Sequence, residues 1–71
     1  MAEEIRAEIV ANVAQIAVEE GDEVTHETTV VVLESMKMEI PVLPEGAGRI
    51  TRIAVSTGDV VQEGDLIAVV E

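Results

Sequence analysis

Two stretches of this chain repeat each other. Ile16-Ala17-Val18-Glu19-Glu20-Gly21-Asp22-Glu23-Val24 matches Ile53-Ala54-Val55-Ser56-Thr57-Gly58-Asp59-Val60-Val61 without a gap, at an offset of 37 residues. Carried onward, the offset pairs Val30-Val31-Val32-Leu33-Glu34 with Ile67-Ala68-Val69-Val70-Glu71. Carried back, it pairs Val13 with Ile50 and Ala11 with Gly48. Chance can place Gly-Asp twice, but it rarely supplies the flanking Ile-Ala-Val as well. A chain of 71 residues makes one domain, 1–71, whose core is only just sufficient. A chain near this size buries roughly 60% of its unfolded surface, and the repeat says how it must do so: as two equivalent halves.

Each half reads as short strands separated by turn chemistry. Ile5, Ala7 and Ile9 alternate with Arg6 and Glu8, a second strand runs from Val13 to Val18, and Met38, Ile40 and Val42 alternate before Pro44. Thr29 to Leu33 and Leu66 to Val70 are continuous apolar runs, as expected of well-buried strands. Gly21-Asp22, Gly58-Asp59 and Gly46-Ala47-Gly48 are turns. Ile5, Ile9, Val13 and Ile16 also fit one helical face. The repeat partner Ile50-Thr51-Arg52-Ile53-Ala54-Val55 is rich in β-branched residues and follows a glycine turn, which decides for strand. The expectation is an all-β fold of about eight strands, with two equivalent four-strand units packed face to face as a small sandwich or flattened barrel.

Composition removes several functions. The formal charge of −11 argues against nucleic acid, whose phosphates require clustered Lys and Arg, and against an anionic membrane surface. No apolar run approaches the roughly 20 residues of a spanning helix, and Met1-Ala2-Glu3-Glu4 lacks the basic start of a signal peptide. There is no Cys, so neither a disulfide nor a thiolate metal site can staple the fold. We expect a soluble, cytoplasmic chain, monomeric by itself and kept dispersed partly by self-repulsion.

Among these acids stands a single lysine, Lys37, within Glu34-Ser35-Met36-Lys37-Met38-Glu39. It falls in the link between the two halves. An amine set apart this way is a candidate site for one chemical modification, and the bland alternative is a solvated lysine on a hairpin. An ordinary amine is almost wholly protonated at pH 7. No His, Cys or second lysine lies beside Lys37 in sequence to act as a base, and Glu34 and Glu39 would stabilise the ammonium. The chain is therefore expected to be a substrate for modification and not its catalyst.

Met-Lys-Met on a hairpin between two half-repeats resembles the biotinyl/lipoyl attachment domain family, of biotin carboxyl carrier type, over about Ile5 to Val70. In being little more than the bare domain, the chain is also similar to short stand-alone biotinylated proteins of mycobacteria. The resemblance implies two four-stranded antiparallel sheets related by a pseudo-two-fold axis, with the modified lysine at the tip of an exposed β-turn. It implies biotin joined to Lys37 by an amide, with Met36 and Met38 recognised by a biotin protein ligase. It further implies carriage of carboxylate between a biotin carboxylase and a carboxyltransferase. Lipoyl domains usually place Asp before the lysine and Ala after it, so the two methionines point to biotin. A lipoyl carrier, or a small acidic interaction protein that is never modified, are the alternatives. The chain departs from the family pattern at Ser35, where Ala is commonest, and at Glu8 and Ala11, where a Pro and a Gly are usual. Glu27 stands where a second Gly is common, a place that Gly64 keeps in the other half. No protruding insertion separates the early strands.

The remaining polar residues carry no such chemistry. His26 is the only histidine and has no second ligand at metal-site spacing. Glu19-Glu20-Gly21-Asp22-Glu23 lacks the alternate-oxygen spacing and distal Glu of a calcium loop. It reads as a solvated turn. No catalytic set of Ser, His and Asp and no phosphate-cradling glycine loop is present.

Overall fold

A computed structural model describes residues 2–71. Eight strands follow one another: β1 Glu3–Arg6, β2 Ala11–Ile16, β3 Glu23–Val24, β4 Val31–Ser35, β5 Met38–Val42, β6 Gly48–Ile53, β7 Val60–Val61 and β8 Leu66–Val70. They form two four-stranded antiparallel sheets, ordered β1-β8-β6-β3 and β5-β4-β2-β7. The offset of 37 carries both ends of β2 onto those of β6, and both ends of β3 onto those of β7.

The two halves do not form one sheet each, as the repeat alone suggests. Each sheet takes two strands from each half, so the halves interlace. The reason lies in the Gly-Asp turns. The Gly21 N–H donates to the Ile50 carbonyl at 2.7 Å, and the Gly58 N–H donates to the Val13 carbonyl at 2.8 Å. In return the Ile50 N–H reaches the Asp22 carbonyl at 2.9 Å and the Val13 N–H the Asp59 carbonyl at 2.8 Å. Each half thus hands its turn to the long strand of the other. Gly21 and Gly58 have φ of 97° and 95°, a region closed to most L-residues. Asp22 and Asp59 close the same turns by accepting from the Glu19 and Ser56 amides, each at 2.9 Å.

The same device recurs one turn later. Asp65 accepts from the Gln62 amide at 2.9 Å, and at the equivalent place the Thr28 hydroxyl accepts from Thr25 at 2.9 Å. Glu27, in the place of Gly64, has no positive φ, so that first-half turn closes without a left-handed residue.

The core repeats as well. Val13, Val24, Val30, Val31 and Leu33 are buried, and so are their partners Ile50, Val61, Ile67, Ala68 and Val70. These aliphatic side chains fill the interior without an aromatic ring. The first strand is shorter than its alternation suggests. Ile5 and Ala7 are buried, but β1 ends at Arg6, and Ile9 is 41% exposed. Ala7 donates to the Asp65 carbonyl and accepts from Gly64, after which the chain crosses from one sheet to the other. Ile5 and Val13, which a helix would place on one face, belong to different sheets.

Gly48 opens β6 instead of ending a turn. A Cβ there would stand 2.5 Å from Val70 Cγ1 and 2.7 Å from the Glu71 carbonyl oxygen. Gly48→Ala is therefore expected to lose about 1–3 kcal/mol by overpacking, read as a lower urea midpoint in far-UV circular dichroism. An unchanged midpoint would show that the β6–β8 edge yields freely.

Candidate functional site

The β4–β5 ladder runs from Val31↔Val42 to Ser35↔Met38, five residue pairs without a register shift. The β1–β8, β2–β4 and β6–β8 ladders each carry one. Ser35↔Met38 leaves two residues for the turn, Met36 and Lys37, and their φ values are 54° and 66°. Positive φ at both central positions is what a two-residue type I′ hairpin demands, and it normally selects Asn-Gly. Met36 and Lys37 are the only non-glycine residues with positive φ among the described residues. Such a conformation costs of order 1–3 kcal/mol per residue. The regular ladder beneath it overrides that cost and holds the tip at a fixed height.

The like-charge pair Glu34↔Glu39 adds to the strain. The two carboxylates face each other directly across the ladder, one step below the turn, an arrangement destabilising by roughly 0.2–1 kcal/mol. Neither forms an ion pair with Lys37; the ion pairs among the described residues join Arg6 to Glu4 and Arg49 to Glu23. Lys37 is exposed and makes no side-chain hydrogen bond in the described residues. Met36 and Met38 are 90% and 62% exposed, so neither fills the core. The hairpin thus breaks both turn and pairing preferences while presenting a free amine between two exposed thioethers. Local breaches of this kind mark functional sites.

A prediction separates stability from use. Met36→Asn with Lys37→Gly supplies the residues the turn prefers, so the double variant is expected to gain about 1 kcal/mol or more in urea unfolding. A loss of stability would show that the turn is not strained as its φ values indicate.

His26 is exposed, and among the described residues no group of three His, Cys, Asp or Glu is placed to hold a metal ion. Three residues of the Lys37 surroundings gave no signal in the sequence. Val10, Asn12 and Val60 line a groove together with Ser35, Met36 and Lys37. In sequence these valines are indistinguishable from core valines.

The sequence pattern of the family described as "Biotin-requiring enzyme" matches residues 3–70. The chain belongs to the biotinyl/lipoyl attachment family. It is 57% identical over 70 residues to the biotinylated protein TB7.3 homolog of Mycobacterium leprae, covering 99% of both chains. It is 41% identical over 64 residues to the biotin-dependent acyl-coenzyme A carboxylase alpha3 subunit of the same organism, covering 90% of this chain and 11% of that one. The crystal structure of Kluyveromyces lactis urea carboxylase contains a region similar to the whole chain, with a TM-score of 0.93 and 31% identity, though the chain spans only 6% of that protein. The all-β architecture of this biotin-attachment domain is therefore the flattened barrel-sandwich of its family. The Mycobacterium leprae relative is named as a biotinylated protein, and the family model is that of biotin attachment. An accessible, unengaged amine such as Lys37 fits an amide-linked arm.

Proposed function

We propose that Lys37 Nζ is the attachment point and that a biotin protein ligase joins biotin to it by an amide. The observation that carries this reading is the exposed Lys37, sole lysine of the chain, at the apex of a strained two-residue turn. The ligase must supply the base that removes a proton from the ammonium. The amine then attacks the activated carboxyl carbon of biotin, forming the C–N bond as the bond to AMP breaks. The amide removes the only lysine cation and takes the formal charge from −11 to −12. Met36 and Met38 flank the amine as exposed apolar handles for the ligase, and the rigid ladder fixes its height for a partner's active site.

In the cytoplasm the domain then serves a biotin carboxylase and a carboxyltransferase in turn. When attached, biotin supplies a ureido nitrogen that accepts and releases carboxylate. The chain contributes a fixed platform and a flexible lysyl stem. Intact mass of the protein from its native host tests the reading. We expect the increment of one biotinyl group; a lipoyl increment supports the family's other cargo, and an unchanged mass supports an unmodified interaction protein.

A further inference from the structure

The pseudo-two-fold supplies an internal control for the surface around Lys37. An open groove of about 440 Å³ is lined by Val10, Asn12, Ser35, Met36, Lys37 and Val60. A second groove of about 440 Å³ lies against Glu23, Ala47, Arg49 and Glu71. The offset of 37 carries Val10 onto Ala47, Asn12 onto Arg49 and Glu34 onto Glu71, and it carries Glu23 onto Val60. The backbone builds the same depression twice, and the side chains differ. Where there is no lysine, Arg49 Nη2 lies 3.3 Å from Glu23 Oε1, an ordinary solvated ion pair. Where there is a lysine, Asn12 replaces the arginine and Val60 the glutamate. Val60 and Val10 are left 65% and 60% exposed, in a chain with 15 carboxylates to spend on its surface.

Building on the proposed attachment, we infer that the biotin arm of Lys37 folds back into this groove, its ring packing on Val10 and Val60 and its ureido group pairing with the Asn12 carboxamide. A ureido group offers N–H donors and a carbonyl acceptor in one plane. A carboxamide offers the same two functions and can meet it with two hydrogen bonds, whereas arginine only donates and glutamate only accepts. The thioether-containing ring presents the apolar surface that two exposed valines match. Lys37 is itself a wall of the groove, so the arm starts where it must return. Tethering raises the local concentration to about millimolar, and contacts too weak for free biotin suffice to hold the arm while leaving it releasable to a partner.

The test compares isotope-labelled protein with and without biotin, after intact mass has shown one biotin on the loaded sample. The Asn12 side-chain amide and the Val10 and Val60 methyl resonances should shift on loading, and nuclear Overhauser contacts should join those methyls to biotin ring protons. Asn12→Arg with Val60→Glu, residues the scaffold already accommodates in its second groove, should abolish the shift of the Val10 methyls and their contacts with the biotin ring without lowering the urea midpoint. Shifts confined to Ser35 through Glu39 would overturn the inference, as would contacts that persist in the double variant. Slower ligation of that variant, with no contacts in the wild type, would assign the groove to the ligase and overturn it too. Failure to gain biotin at all would overturn the attachment as well; full loading without groove contacts overturns the groove alone.

Discussion

A protein in which Met36 and Lys37 are exchanged should accept biotin from a biotin ligase at least roughly 100-fold more slowly than the natural sequence. The exchange preserves composition, net charge and the exposed apex. Both positions have positive φ, 54° and 66°, and both hold long unbranched side chains, so the hairpin has no new reason to unfold. What changes is where the amine departs from the turn, because successive residues point in different directions from a strand or hairpin. A displacement of about 1 Å at a reacting atom can cost 10²-fold, and moving the lysine by one residue displaces it further. Single-turnover biotinylation followed by mass spectrometry measures the effect. Equal rates would show that any accessible lysine suffices and that Met36 and Met38 do not orient the substrate.

The second large effect concerns the platform. Leu33 is 2% exposed in β4, where it pairs with Val13 on one side and Ile40 on the other. It is among the largest fully buried side chains of a core that contains no aromatic residue. Leu33→Ala should cost roughly 2–5 kcal/mol. A domain of this size at about 0.05–0.15 kcal/mol per residue has little more to lose, so a substantial unfolded fraction is expected near physiological temperature. Urea unfolding followed by far-UV circular dichroism reads the change. A loss below about 1 kcal/mol would mean that the two sheets close over the void.

Much of this platform was legible because the sequence states it twice. The offset of 37 predicts that β2 and β6 share boundaries, and Gly21-Asp22 and Gly58-Asp59 announce the turns that bind the halves. Lys37 stood out by isolation, and the turn's need for positive φ at Met36 follows from a two-residue hairpin. The exchange of strands between sheets was not legible. A repeat shows which residues are equivalent, but hydrogen bonds such as Gly21 to Ile50 choose the partners, and they join residues far apart in sequence. The early end of β1 was hidden because Ile9 continues the alternation of Ile5 and Ala7 while the backbone is already turning away. The groove at Val10 and Val60 was hidden for a similar reason: nothing in a valine's local sequence tells whether its neighbours cover it.

Peptide mapping by tandem mass spectrometry, after incubation with a biotin ligase, ATP and biotin, tests the central claim most directly. The account predicts one biotin amide per chain, on Lys37 and on no other internal residue, and none on Lys37→Arg, whose guanidinium stays protonated and cannot attack the activated acyl group. Biotin found on another residue, or a wild-type chain left unmodified by a ligase that loads a known carrier in the same tube, would contradict it.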